Sequence, residues 1–138
     1  MPKIRFPLRQ VRGELEPIIS IGVKLGEVWK PIDVFVDTGA TYSVFQAKLA
    51  QRANFDYRSG RAISIQVGNG ALIPVFLHNL EIQLGSDRIG CIVGFSDRLG
   101  VPFNILGKAS VFDHYTVCFQ RSQSLITFEN ATDSVIEN

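Results

Sequence analysis

Apolar and polar residues alternate with a period of two through most of this chain. Pro17 to Leu25, Val28 to Val36, and Ile63, Ile65 and Val67 set against Ser64 and Gln66 all read as strands with one face toward a core. Leu72, Ile73 and Val75 resume the pattern after Gly68-Asn69-Gly70. An Asn-Gly between alternating segments predicts a hairpin there. Leu80, Ile82 and Leu84 predict a further strand, turning at Gly85-Ser86-Asp87 into Ile89, Cys91, Val93 and Phe95. Val117, Phe119 and Leu125 to Phe128 predict the last strands. Two segments break toward helix: Phe45 to Ala53, and Ser110 to Tyr115, where Phe112 and Tyr115 stand three apart on one face. The fold class expected is all-β, mainly strand with one or two short helices.

Composition bounds the architecture. With 138 residues, 46% hydrophobic and 20% charged, the chain can build one real core but not two sizeable ones. The expectation is a single domain over residues 1–138, with its core at about 15–129 and a polar, frayed tail at 130–138. There is no internal repeat, low-complexity tract or linker. A formal net charge of +1 gives no sign of a nucleic-acid partner. Lys3, Arg5, Arg9 and Arg12 read as solvated alternate positions of an edge strand. Residues 1–10 lack an apolar leader core, and no stretch reaches membrane-spanning length, so no membrane partner and a cytoplasmic location are expected. The sequon at Asn130-Ala131-Thr132 is then incidental. Cys91 and Cys118 lie in strand-like apolar runs and are expected as buried, reduced thiols. No His/Cys cluster has metal spacing, and nothing places His78 or His114 beside a cysteine, so neither metal nor cofactor is expected.

Candidate chemistry enters at the end of one strand. Ile32-Asp33-Val34-Phe35-Val36 runs into Asp37-Thr38-Gly39-Ala40. Ile32, Val34 and Val36 point to one side, and Asp33, Phe35 and Asp37 to the other. The strand thus delivers a carboxylate onto a Thr-Gly turn. Gly39 lets the chain reverse with its N–H groups near whatever Asp37 holds, and Thr38 adds a short hydroxyl. About seventy residues later, Phe103-Asn104-Ile105-Leu106-Gly107-Lys108 forms an apolar strand end closed by glycine.

Val36 to Ala40 resembles the active-site loop of aspartic proteases, of the single-domain, retropepsin-like kind. Ile105-Leu106-Gly107 resembles the apolar-apolar-Gly strand end that packs around that loop in the family. The resemblance spans roughly Pro17 to Phe128. It implies a homodimeric, retropepsin-like acid-protease half-barrel, with Gly68-Asn69-Gly70 as the tip of a flap over the substrate. Viral members often carry Arg after the glycine, paired with a carboxylate just after Asp-Thr-Gly. Here Lys108, Thr41 and Tyr42 hold those places. Lysine cannot make the planar bidentate contact of arginine, so the bracing ion pair of the viral site is not expected. Asp-Thr-Gly-Ala-Thr-Tyr-Ser and Phe-Asp-His-Tyr are closer to bacterial and cellular members.

Peptide hydrolysis of this kind needs two carboxylates that share one proton around a water. None of Asp33, Asp56, Asp87, Asp97, Asp113 or Asp133 is followed by Thr-Gly or Ser-Gly. A two-fold homodimer with Asp37 from each subunit at the axis supplies both. In the family the loop threonines cross-link the two subunits, a role that would fall to Thr38. The function implied is an aspartic endopeptidase acting on an extended peptide or protein substrate, with Tyr42 and Phe76 as candidates for lining side-chain pockets. The same fold also serves as a catalytically weak peptide-binding or dimerisation module. A trimeric β enzyme acting on nucleotides would need phosphate-binding and Asp-x-Gly-Tyr motifs, which the chain lacks.

Overall fold

Alternating strands need a second face to cover them, and this chain solves the problem by closing its sheet on itself. The computed structural model describes residues 3–130. Its strands are β1 (Ile4–Pro7), β2 (Arg9–Val11), β3 (Glu14–Glu16), β4 (Ile18–Leu25), β5 (Val28–Val36), β6 (Ser43–Gln46), β7 (Arg61–Gln66), β8 (Leu72–Leu84), β9 (Asp87–Ser96), β10 (Asn104–Leu106), β11 (Tyr115–Gln120) and β12 (Leu125–Asn130). One short helix, α1 (Ala47–Arg52), follows β6. The all-β expectation is borne out.

The main sheet runs β4-β5-β10-β6-β9-β8-β7, and β4 also pairs with β8 through Gly22–Gln83 and Val23–Ile82. Six strands thereby form a closed barrel, and β7 stays outside the ring as an edge. Three-residue β10 sits between β5 and β6. It runs parallel to β5, with Asn104 opposite Val34 and Leu106 opposite Val36, and antiparallel to β6 at Ile105–Val44. A smaller sheet, β1-β12-β11, lies against the barrel. Alternation fills the interior: Ile19, Ile21, Val23 and Leu25 of β4 and Ile32, Val34 and Val36 of β5 are buried, packed with Phe45, Phe95 and Phe128. Burying each such side chain contributes roughly 1.5–3 kcal/mol. A second cluster, Val44, Ile73, Val75, Leu77 and Leu99, lies beneath the β7–β8 hairpin.

Several expectations need correction. Phe45 does not start a helix. It is a fully buried residue of β6, in edge-to-face contact with Phe95 at 6.1 Å, and the helix begins only at Ala47. The strand continues because β9 and β10 offer pairing partners on both sides of it. Ser110 to Tyr115 is not a helix either. Residues 108–112 form a single irregular turn, in which Ala109 is extended and Ser110 has φ +71°. The Ser110 hydroxyl accepts the Ile92 N–H at 3.1 Å, which ties the turn to β9. Tyr115 opens β11 and donates its hydroxyl to Asp87 at 2.9 Å. The strands expected near 72–75 and 80–84 are one continuous thirteen-residue strand. Cys91 is buried as expected, but Cys118 is exposed on β11. Asn130, assigned to the tail, ends β12 opposite Tyr115, and residues 131–138 lie outside those described.

Candidate active site

Asp37 lies one residue beyond β5, and the loop Asp37–Tyr42 leads straight into β6. Because β10 is wedged between those two strands, its carboxyl end can bind both ends of the loop. The Asp37 N–H donates to Leu106 O at 3.0 Å. The Lys108 N–H donates to Ala40 O, and the Ala109 N–H to Thr41 O, each at 2.9 Å. Within the loop, the Ala40 N–H reaches Asp37 O at 3.2 Å, and the Gly39 N–H reaches the Asp37 carboxylate Oδ1 at 2.9 Å. That last contact is an Asx turn, which fixes the carboxylate through its own backbone.

Gly107 is the tight point of the assembly. A Cβ there would overlap the backbone at Tyr42 O and come within 2.9 Å of Ala40 O. Only glycine lets the two backbones approach this closely. The Gly107 N–H donates to Ser43 Oγ at 3.0 Å, and Ser43 has no solvent exposure. Sequence reading passed over Ser43. The available signal was a small hydroxyl residue heading the apolar pair Val44-Phe45. Burial pushes the neighbouring Cys91 thiol up to about 12, against a smaller opposing effect of the Ser43 hydroxyl.

A cleft of about 380 Å³ opens beside the loop. Asp37, Gly39, Ala40 and Tyr42 form its floor, and Ile65, Val67 and Gly68 of the β7–β8 hairpin form its roof. Leu99, Val101 and Ile105 close one side. Asp37 is half-buried, while Thr38 and Gly39 are exposed. The Asn69 side chain accepts the Ala71 N–H at 2.9 Å, and Gly70 adopts φ +86°, which shapes the hairpin tip.

The structure thus gathers the residues chosen from sequence, but in three layers. Asp37, Gly39, Ala40, Gly68 and Ile105 line the cleft. Leu106, Gly107 and Lys108 act behind it through their backbones. Thr38, Asn69 and Gly70 border it. Of the two candidate pocket residues, Tyr42 lines the cleft, whereas Phe76 packs against the Tyr57 ring at 5.7 Å. Among the described residues, the ion pairs are Lys3–Glu129, Arg9–Asp33 and Arg58–Asp97, and none involves Lys108. Those residues also contain no group of three or more His, Cys, Asp or Glu able to hold a metal.

Comparison with known proteins agrees with this geometry. A retropepsin-like aspartic protease from Rickettsia conorii superposes with a TM-score of 0.67 at 17% identity, covering 92% of this chain and 89% of its own. The EIAV protease, solved in complex with the inhibitor HBY-793, superposes with a TM-score of 0.52 at 24% identity, covering 72% and 88%. At these identities the likeness establishes the fold. No curated protein matches the chain in sequence. The model of the aspartyl protease family matches residues 21–108, well over half of the chain, from β4 through the Asp37 loop and the hairpin to the end of the β10 bracing segment. The chain therefore belongs to the aspartyl protease family.

Proposed function

We propose that the protein is an aspartic endopeptidase, a single domain that works as a homodimer with Asp37 of each subunit at the two-fold axis. The observation that carries this reading is the Asp37 carboxylate, held by the Gly39 N–H at 2.9 Å on a loop that opens into a hairpin-roofed cleft. One chain contributes one Asp-Thr-Gly, so the dyad needs a second copy. Thr38, exposed beside the carboxylate, is free to bond the partner's loop. The substrate is an extended peptide lying between the loop and the β7–β8 flap. One carboxylate takes a proton from the water as its oxygen attacks the scissile carbonyl. The other gives its proton to the carbonyl oxygen, and collapse of the tetrahedral intermediate returns a proton to the leaving amine. No cofactor enters these steps. No described helix is long and apolar enough to cross a membrane, and a cytoplasmic site of action is part of the proposal.

The test is Asp37→Asn, which is nearly isosteric but can neither act as base nor share the proton. Peptide-library cleavage by the wild type should vanish in the variant, while ultracentrifugation should show a concentration-dependent dimer for both. Activity should peak on the acidic side of neutrality, where one shared proton remains on the pair. Cleavage by a strict monomer, or wild-type turnover by the variant, would overturn the proposal. Peptide binding and dimerisation without cleavage would identify the protein as a binding module.

A further inference from the structure

Behind the wall of the cleft lies a second concavity, an open groove of about 640 Å³. The two share the segment after Leu99: Val101 and Ile105 face the cleft, while Pro102, Phe103 and Asn104 face the groove. Gln46 fastens this segment. Its amide nitrogen donates to Val101 O at 2.5 Å and Phe103 O at 3.3 Å, and its backbone N–H donates to Asn104 Oδ1 at 2.8 Å. The Phe103 ring stacks on Phe35 at 4.9 Å, and Phe35 lies two residues before Asp37. The groove is thus a fixed surface coupled in space to the candidate site.

Its charge is one-sided. Arg9, Lys48 and Arg52 line it, with Asp33 the one carboxylate among its lining residues. Asp33 is already engaged: Arg9 reaches it at 2.7 and 3.3 Å, and the Ser20 hydroxyl donates to it at 2.6 Å. Arg9, then Ser20, holds Asp33 below the usual carboxylate range. That pair cancels and leaves Lys48 and Arg52. Both are exposed and stand four residues apart on α1, and neither enters an ion pair among the described residues. Like charges at this spacing repel. Apolar surface from Ile18, Pro31, Pro102 and Phe103 lies alongside them.

We propose that this groove docks an acidic, partly apolar stretch of polypeptide. Its carboxylates pair with Lys48 and Arg52, and its intervening side chains rest on Phe103 and the prolines. Charge complementarity selects an acidic occupant. The apolar side chains of Ile18, Pro31, Pro102 and Phe103 beside those charges suit a peptide better than a bare anion or a sugar-phosphate backbone. That the stretch belongs to a substrate whose scissile segment lies in the cleft rests on the endopeptidase reading.

Binding is tested without hydrolysis. Fluorescence anisotropy of a labelled peptide alternating Glu and Leu is titrated with Asp37→Asn protein at low and high salt. Reversing both charges, Lys48→Glu with Arg52→Glu, should weaken binding by about tenfold, and high salt should do the same to the parent. A Gln-for-Glu peptide should bind both proteins equally weakly. Circular dichroism checks that the reversed protein is folded. Equal affinity of parent and reversed protein for the Glu peptide would overturn the docking site, as would tighter, charge-dependent binding of a single-stranded oligonucleotide. In protein with Asp37 intact, the reversal should raise KM for substrates with an acidic extension and leave a short neutral peptide unaffected. Peptide binding without any cleavage would uphold the groove and remove the peptidase reading. Cleavage that gains nothing from the acidic extension would do the opposite.

Discussion

The floor and the roof of the cleft are built on opposite plans. The floor is interlocked: every backbone bond that holds Asp37, Ala40 and Thr41 from outside the loop comes from residues 106–109, and the tie through Ser43 is fully buried. The roof is tied more loosely. Among the described residues β7 pairs with β8 alone, and the tip bonds run between Val67, Asn69, Gly70 and Ala71. Residues 68–72 are all exposed, Leu72 by 68%. An exposed tip and a solvated edge ladder mark a segment that opens at lower free-energy cost than the floor. The floor therefore fixes a carboxylate in space, and the roof tip is free to shift.

The sharpest break in this contrast is Gly107→Ala. The new Cβ meets backbone, which cannot rotate away, so stability should fall by more than about 3 kcal/mol, read as the urea midpoint. A variant of native stability would show that the floor yields. Ser43→Ala removes the acceptor and leaves a buried Gly107 N–H unpaired. The expected loss is about 1–3 kcal/mol, and kcat should drop more than KM rises, because the reacting geometry is displaced rather than the peptide contacts. Gly70→Ala strains the roof instead, since φ +86° disfavours a side chain. It should cost about 1 kcal/mol and act mainly on KM. Leu72→Ser, at an exposed roof position, should stay within about 0.5 kcal/mol of wild type in thermal unfolding. A larger loss would mean that the hairpin packs on something it is not seen to touch.

The sequence revealed the floor and the roof unequally well. Strand β5 and the placement of Asp37 could be read because alternation and the Asp-Thr-Gly turn are both local. The hairpin could be read from Asn69-Gly70 for the same reason. What escaped depended on distant partners. Phe45 looked helical because the strands flanking it, β9 and β10, lie about fifty and sixty residues downstream. Ser110 looked helical because the contact that holds its turn comes from Ile92, eighteen residues upstream. Ser43 looked ordinary because its hydroxyl matters only once Gly107 arrives. Cys118 looked buried because an apolar neighbourhood in sequence, Val117 and Phe119, need not be a buried one in space: Phe119 is itself 42% exposed.

The bond from the Asp37 N–H to Leu106 O also sets an order of events during synthesis. The β4–β5 hairpin can pair as soon as it leaves the ribosome, and the β4–β8 pairing needs nothing beyond Gln83, but the ring closes only when β10 arrives. The carboxylate is thus present early, but the backbone that fixes it comes from residues 106–109, about seventy positions later. Contacts of such separation form late, after the loop-closure entropy has been met. A growing chain therefore carries the Asp37 carboxylate on an unlatched loop until most of its length has been translated.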